Sequence, residues 1–406
     1  MGMGFKGMKE IPAGITAPKG FFASGIYAGI KRTNKLDLAI IYSERDATVA
    51  GTFTRNKVKA PPVILTEKQI RNGRARAVIV NSGNANACTG SQGMKDANEM
   101  AELTADALFI DKDLVCVSST GVIGELLPMS RIKSSVKLAA NSISPDGGRD
   151  AAIAIMTTDT FPKEVAVRGR VGGKTITVGG IAKGSGMIHP DMATMLAFIS
   201  TDAAIDRGAL KKILSKEVNQ SFNKITVDGD TSTNDMVLCM ANGMAGNSPF
   251  DNKDLAQFQK MIGHVCRSLA LMITKDGEGA TKLVEILVRR AKSEKDAEKV
   301  GFAVANSSLV KTALFAGDPN WGRIMAAICY SGANIREERI SISFDKVKMV
   351  KNGLGLGKEI ENKVAEVMKN KEYMITIDLN VGSSETSIWT TDLSYDYVKI
   401  NVAYRS

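Results

Sequence analysis

The residues best able to do chemistry lie together in Lys183-Gly-Ser-Gly-Met-Ile-His-Pro-Asp-Met-Ala193-Thr194, a polar, glycine-bearing stretch. It gives way abruptly to the apolar run Met195-Leu-Ala-Phe-Ile199. Thr194 sits at the junction, where a loop meets a segment that reads as a buried strand. A threonine hydroxyl is a weak nucleophile without a base beside it. If the chain were cut just before Thr194, the new α-amino group would be that base. Its reference pKa of about 7.7–8.0 leaves neutral amine available near pH 7. The protein has only His189 and His264 as alternatives. Left uncut, Thr194 reads as a buried strand threonine bonded to a neighbouring carbonyl, and the residues alone leave both readings open.

Short β-type runs alternate with longer helical patterns around this junction. Ala77 to Val80 is an apolar run ending in the turn cluster Asn81-Ser-Gly-Asn84. A helix is expected from about Lys95 to Leu108, and a hairpin from Glu164 to Val178 around Gly172-Gly173. Leu255, Phe258, Ile262, Val265 and Leu269 recur at steps of three and four, marking one buried helix face, as do Leu210, Ile213, Leu214 and Val218. Arg339 to Phe344 and Met374 to Asn380 alternate as half-buried strands, with a helix carrying Ile360, Val364 and Val367 between them. The class is mixed α/β. Ser144-Pro-Asp-Gly-Gly148 and Ala241 to Pro249 are the candidate boundary loops.

Composition narrows the function classes. A chain of 406 residues with 44% hydrophobic and 24% charged content has the make-up of a soluble globular protein. It lacks the roughly 20 uninterrupted apolar residues of a membrane span. Its first residues carry no signal-peptide core, so a cytoplasmic location is expected. Five cysteines without a CxxC pair fit a reducing compartment and no zinc site. The net charge of +10 is spread singly among acids, and aromatics make up only 5%. Nucleic acid is therefore not the expected partner; anionic small substrates are the better use of the charge.

The segment Gly179-Gly-Ile-Ala-Lys183-Gly-Ser-Gly-Met-Ile188, followed by Met192-Ala193-Thr194-Met-Leu196, resembles the ornithine acetyltransferase family. Its members are also called bifunctional glutamate N-acetyltransferase/amino-acid acetyltransferase, of arginine biosynthesis. Further blocks of that family run along nearly the whole chain. They include Asn81 to Gly90, Ser119-Thr120-Gly121, Met156-Thr157-Thr-Asp159-Thr160, Asp228-Gly-Asp230-Thr-Ser-Thr-Asn234-Asp235, Asp276-Gly-Glu278-Gly, Gly317 to Arg323 and Asn401-Val-Ala-Tyr404-Arg-Ser406. Val402 and Ala403 stand where more polar residues are often found.

The resemblance implies an α/β fold of stacked β-sheets between helical layers, with a self-processing, N-terminal-nucleophile-like architecture. It implies cleavage between Ala193 and Thr194 into fragments 1–193 and 194–406 that stay associated, as a heterotetramer of two of each. Thr194 is then the nucleophile, Thr120 and Gly121 the oxyanion hole, and Thr157, Lys183, Thr194, Glu278, Asn401 and Ser406 the substrate-binding residues. The implied reaction moves acetyl from N-acetylornithine to glutamate through an acetyl-threonine. No cofactor is implied, and acetyl-CoA remains open as a co-substrate. One tension follows: if Glu278 faces the ammonium of ornithine, the side-chain carboxylate of glutamate must approach it too, with water or a movable Lys282 as mediator.

Other features are set aside. Gly353-Leu-Gly-Leu-Gly357 lacks the Lys-Ser/Thr of a phosphate loop and reads as a tight turn before a helix. Asp230, Asn234 and Asp235 do not complete a metal set. Without the resemblance, Ser118 to Gly121 reads as a turn after a strand, and Lys183 and Glu278 as a solvated lysine and a helix-end acid.

Overall fold

A 16-residue strand, β3 (Leu38–Phe53), organises the first of two units in the computed structural model, which describes residues 7–31, 33–189 and 195–403. The first unit comprises residues up to 223 and 230–273; the second comprises 224–229 and 274 onwards.

The strands of the first unit are β1 (Lys9–Ile11), β2 (Phe21–Ile26), β3, β4 (Arg74–Asn84), β5 (Val115–Val122), β6 (Lys163–Val171), β7 (Lys174–Lys183), β8 (Leu196–Thr201) and β9 (Met236–Ala241). They form a nine-stranded sheet in the order β1-β6-β7-β8-β9-β3-β4-β5, with β2 also on β3. The first half of β3 pairs with β2 and β4, and its second half pairs with β9. A register break between Tyr42 and Ala47 separates the halves, the kind of irregularity that bends a strand. The sheet therefore folds over on itself. Ile41, Val78 and Val80 share one core with Ile181, Leu196, Phe198 and Leu238 from the other half. Each such side chain contributes about 1.5–3 kcal/mol on burial.

Period-2 alternation sends Leu38 and Ile40 to the opposite face. There they pack on Ala97 and Met100 of α2 (Gly90–Leu108) and on Ile132 and Val136 of α3 (Met129–Asn141), with α1 (Pro61–Gln69) alongside. The short α4 (Gly148–Ala154) joins the inner core through Ala151 and Ala154, and α5 (Arg207–Asn219) lies against β3. On the other half, α6 (Asn252–Lys275) lies over β7: a Cβ on Gly180 would sit 2.9 Å from Val265 and 3.0 Å from Leu269. Stacked sheet halves between helical layers match the architecture expected.

The second unit holds β10 (Leu283–Ala291), α7 (Glu294–Ala305), α8 (Ser308–Ala316), α9 (Trp321–Tyr330), β11 (Ser341–Phe344), β12 (Val347–Lys351), β13 (Leu354–Gly355), α10 (Lys358–Met368), β14 (Glu372–Asp378), β15 (Ser384–Thr391) and α11 (Tyr395–Ala403). Its six strands run β13-β12-β11-β14-β10-β15. Val284, Ile286, Val288, Ile375 and Ile377 bury against Val300, Val304, Ile324 and Ile328.

Several expectations need correction. Asn81 to Asn84 is not a turn after β4 but its last part, and Ser118 to Gly121 belong to β5. Cross-strand pairing overrules local turn preference: Asn81, Ser82 and Gly83 lie opposite Ser119, Thr120 and Gly121, and Ser119 Oγ donates to Asn81 Oδ1 at 2.6 Å. The candidate boundary loops both fall inside the first unit. The units instead divide within α6 and at 223/224 and 229/230, where composition does not change. The hairpin at Gly172-Gly173 is as expected, both glycines having positive φ. No helix among the described residues is long and apolar enough to cross a membrane.

Candidate functional site

Ala193, Thr194 and Ser406 lie outside the described residues, so the site is built from what flanks them. The strands on either side of the Ala193–Thr194 bond, β7 and β8, are antiparallel neighbours, with Lys183 opposite Leu196. A cut in their connection would leave the two pieces sharing the sheet.

Thr120 and Gly121 lie near the end of β5, beside Ser82 and Gly83 of β4. Gly121 has φ +135°, and a Cβ there would collide with the backbone of Gly83 and Asn84. Glycine is thus required both by conformation and by space. Gly121→Ala should move this N–H off its line. It is expected to lower the transfer rate by about 10²–10³-fold, the cost of one oxyanion donor, in kinetics on protein whose circular dichroism is unchanged.

The other two expected residues of this unit, Thr157 and Lys183, are joined by a residue to which no role had been given, Asp159. This carboxylate is fully buried and accepts from Lys163 Nζ at 2.7 Å, from the Thr157 N–H at 2.9 Å and from the Gly184 N–H at 2.8 Å. Lys183 Nζ is 3.9 Å away and itself buried. Burial opposes ionisation of Asp159. The charges of Lys183 and Lys163, with the Gly184 N–H, overcome it and hold the carboxyl well below the usual carboxylate range. Lys183 is therefore a buried, positioned cation rather than a solvated one, suited to meet a carboxylate.

Asn234 and Asp235, set aside in the sequence as an incomplete metal set, brace two strands of the sheet. Asn234 Nδ2 donates to the Ala85 carbonyl at 2.6 Å and to the Ser119 carbonyl at 2.9 Å, bracing the residue before Thr120. Asp235 Oδ1 accepts the Met195 N–H at 3.0 Å, fixing the peptide that follows Thr194. Burial pushes the Asp235 carboxyl well above its ordinary range, against the Met195 N–H and the charge of Lys183. Two adjacent side chains thus hold the proposed oxyanion strand and the segment after the proposed nucleophile. Lys31 is a third addition. Its Cγ would lie 3.0 Å from a Cβ on Gly83, and burial lowers its pKa to about 8 against the pull of Asp37 and Asp159.

In the second unit the structure brings together Glu278 and Asn401, whose Nδ2 donates to Glu278 Oε2 at 2.8 Å and to the Tyr397 carbonyl at 2.9 Å. Glu278 is buried, not a solvated helix-end acid. Its loop is clamped by Asp392, which accepts from the Thr281 and Lys282 N–H groups at 2.8 and 2.9 Å, and by Ser394 Oγ, which donates to the Gly279 carbonyl. Lys282 does not behave as a movable cation: its Nζ caps α10, donating to the Met368 and Asn370 carbonyls at 2.9 and 3.0 Å.

Behind this clamp, Lys311 is buried and donates to Thr390 Oγ1 at 3.1 Å and to the Thr391 carbonyl at 2.5 Å. Burial lowers its pKa to about 7, against the opposing pull of Asp392 and Asp228. An unfolded lysine keeps its proton to about pH 10.4. The unfolded state therefore binds more protons between these values, and stability should rise with pH from about 7 upward. Lys311→Met should abolish that rise, as read from urea midpoints at pH 7 and pH 9. Parallel shifts in both proteins would contradict this.

No group of three or more metal-binding side chains occurs among the described residues. The described residues thus bring together a glycine-borne N–H, buried cations and a braced strand start, groups suited to meeting negative charge.

The ArgJ family profile matches residues 22–406. The "Arginine biosynthesis bifunctional protein ArgJ" of Symbiobacterium thermophilum is 50% identical over 403 residues, which span 98% of this chain and all of that protein. The "Glutamate N-acetyltransferase" of Methanocaldococcus jannaschii is 50% identical over 408 residues, with the same coverage. Among solved structures, ornithine acetyltransferase from Mycobacterium tuberculosis, complexed with ornithine, is 42% identical. That match covers 45% of this chain and 98% of the other, with a TM-score of 0.43. Identity at this level over nearly the whole length, together with a family profile that matches residues 22–406, shows that the chain belongs to the ArgJ family.

Proposed function

We propose that this chain is a glutamate N-acetyltransferase that moves the acetyl group of N-acetyl-L-ornithine to L-glutamate, yielding ornithine and N-acetylglutamate. The observation that carries this reading is half-identity over nearly the full length to relatives so named. In the reading, the chain first cleaves itself between Ala193 and Thr194, and the fragments remain associated, two of each. The freed α-amino group takes the proton from the Thr194 hydroxyl as its oxygen attacks the acetyl carbonyl. Thr120 and Gly121 meet the oxyanion. The C–N bond breaks, ornithine leaves with that proton on its amine, and acetyl-Thr194 remains. The amine of glutamate then attacks the ester, N-acetylglutamate departs, and the hydroxyl is restored.

Lys183, held by Asp159, takes the substrate α-carboxylate, and Thr157 adds a contact beside it. Glu278 and Asn401 recognise the far end of the substrate, with Ser406. Acetyl-CoA is a second acetyl donor to the same threonine, and the cytoplasm is the compartment.

The test is incubation of the purified protein with N-acetylornithine, with and without glutamate. Formation of N-acetylglutamate that depends on both substrates is expected. Release of free acetate at the same rate without glutamate would instead make the protein an amidase.

A further inference from the structure

A cavity of about 650 Å³ lies in the first unit between the second half of β3, α1 with the turn that follows it, and α5. That is within the roughly 300–1,000 Å³ of small-molecule sites. Its charged lining is one-sided: Arg55, Lys59, Arg71, Arg207 and Lys211 against the single acid Glu67. Glu67 is engaged by Lys59 at 2.9 Å. Arg207 is anchored by a 3.1 Å bond to the Ile70 carbonyl, which fixes part of the cationic rim. Arg71 and Lys211 have no carboxylate partner among the described residues.

The strand wall adds neutral donors. Val49 N–H bonds to the Gly73 carbonyl on the side away from β9. By alternation, Gly51 and Phe53 direct their N–H groups to that side as well, where no strand pairs with them among the described residues. Concentrated cations in a concave site with spare donors suit a compact polyanion.

The position of the cavity narrows the role. Phe53 pairs with Met236 of β9, and Met236 pairs with Leu196 of β8. Two strand spacings, about 10 Å, therefore separate the cavity wall from the strand that follows Thr194.

We propose that this cavity binds the phosphates of a nucleotide-type ligand. Its closeness to β8 makes a phosphate-bearing acyl carrier the fitting source, a choice that rests on the acetyl-transfer reading. A free nucleotide or polyphosphate presents the same chemistry.

The test is calorimetric titration of the full chain with coenzyme A, adenosine 3′,5′-bisphosphate, inorganic pyrophosphate and phosphate-free pantetheine, at low and high salt. The phosphorylated ligands should bind saturably, and more weakly in salt, while pantetheine should not. The double variant Arg71→Glu, Lys211→Glu alters two exposed side chains and should weaken binding at least about tenfold. Coenzyme A as the tightest ligand would assign the site to an acyl carrier. Pyrophosphate binding equally well would assign it to free polyphosphate, and both results support a phosphate site. Binding of none of these ligands, or equal binding by the variant, would overturn the proposal. Transfer from N-acetylornithine to glutamate, assayed on the same samples, reports on the proposed function separately.

Discussion

Thr194→Ala should yield one uncut chain with transfer reduced by at least about 10⁴-fold, the scale seen when a nucleophile that works as part of a unit is removed. Two losses combine in this variant. Without the hydroxyl nothing attacks the Ala193 carbonyl, so the α-amino base is never exposed; without both, no acetyl ester forms. Thr194→Ser keeps a hydroxyl and should still cut and transfer, more slowly. The pair separates chemistry from folding, since the Met195 N–H bond to Asp235 and the β8 pairings rest on later backbone. A cleaved or active alanine variant would remove Thr194 from the mechanism. Gel electrophoresis and the acetyl-transfer assay read both outcomes.

Asp159→Asn carries the largest expected effect on stability. Asp159 has no exposed side-chain surface, and its two lysine neighbours, Lys163 and Lys183, are 0% and 2% exposed. Removing this carboxylate takes away the negative charge set against two buried ammonium groups, and breaking a buried ion pair costs about 3–5 kcal/mol. Asparagine still accepts a bond, but it cannot offset two positive charges. The sign with pH follows from the depressed carboxyl. The unfolded carboxyl titrates near 3.9, so the stabilisation is complete above that value and fades as pH falls towards the folded one. Urea unfolding should show a wide gap between wild type and variant at pH 7 that narrows below about pH 4. A gap that stays constant into acid would mean that charge is not what Asp159 supplies. Because Asp159 also holds the N–H groups of Thr157 and Gly184, the variant should bind substrate poorly even where it remains folded.

Much of this was legible in the residues. The helical periodicities around Leu255 to Leu269 and Leu210 to Val218 became α6 and α5, because a helix face buries what its spacing presents. The polar-to-apolar junction at Met195 marked the start of β8. The same signal stands at Asp235, immediately before the apolar β9, and could have singled it out. What spacing could not disclose is burial of charge. An Asp or Lys in isolation reads as solvated, and only the fold packs Lys163, Lys183 and Asp159 into one buried cluster. Asn81 to Asn84 and Ser118 to Gly121 were misread for a related reason. Their backbones pair across adjacent strands and Ser119 bonds to Asn81, an arrangement invisible until β4 and β5 are paired.

The central claim is that Thr194 becomes a chain start and carries the acetyl group. Mass spectrometry of the intact purified protein tests it most directly, before and after brief exposure to N-acetylornithine. The account predicts two fragments, 1–193 and 194–406, with the second gaining one acetyl group on Thr194 and losing it when glutamate is added. An uncut chain that transfers acetyl, or transfer with no acetyl on Thr194, would contradict it.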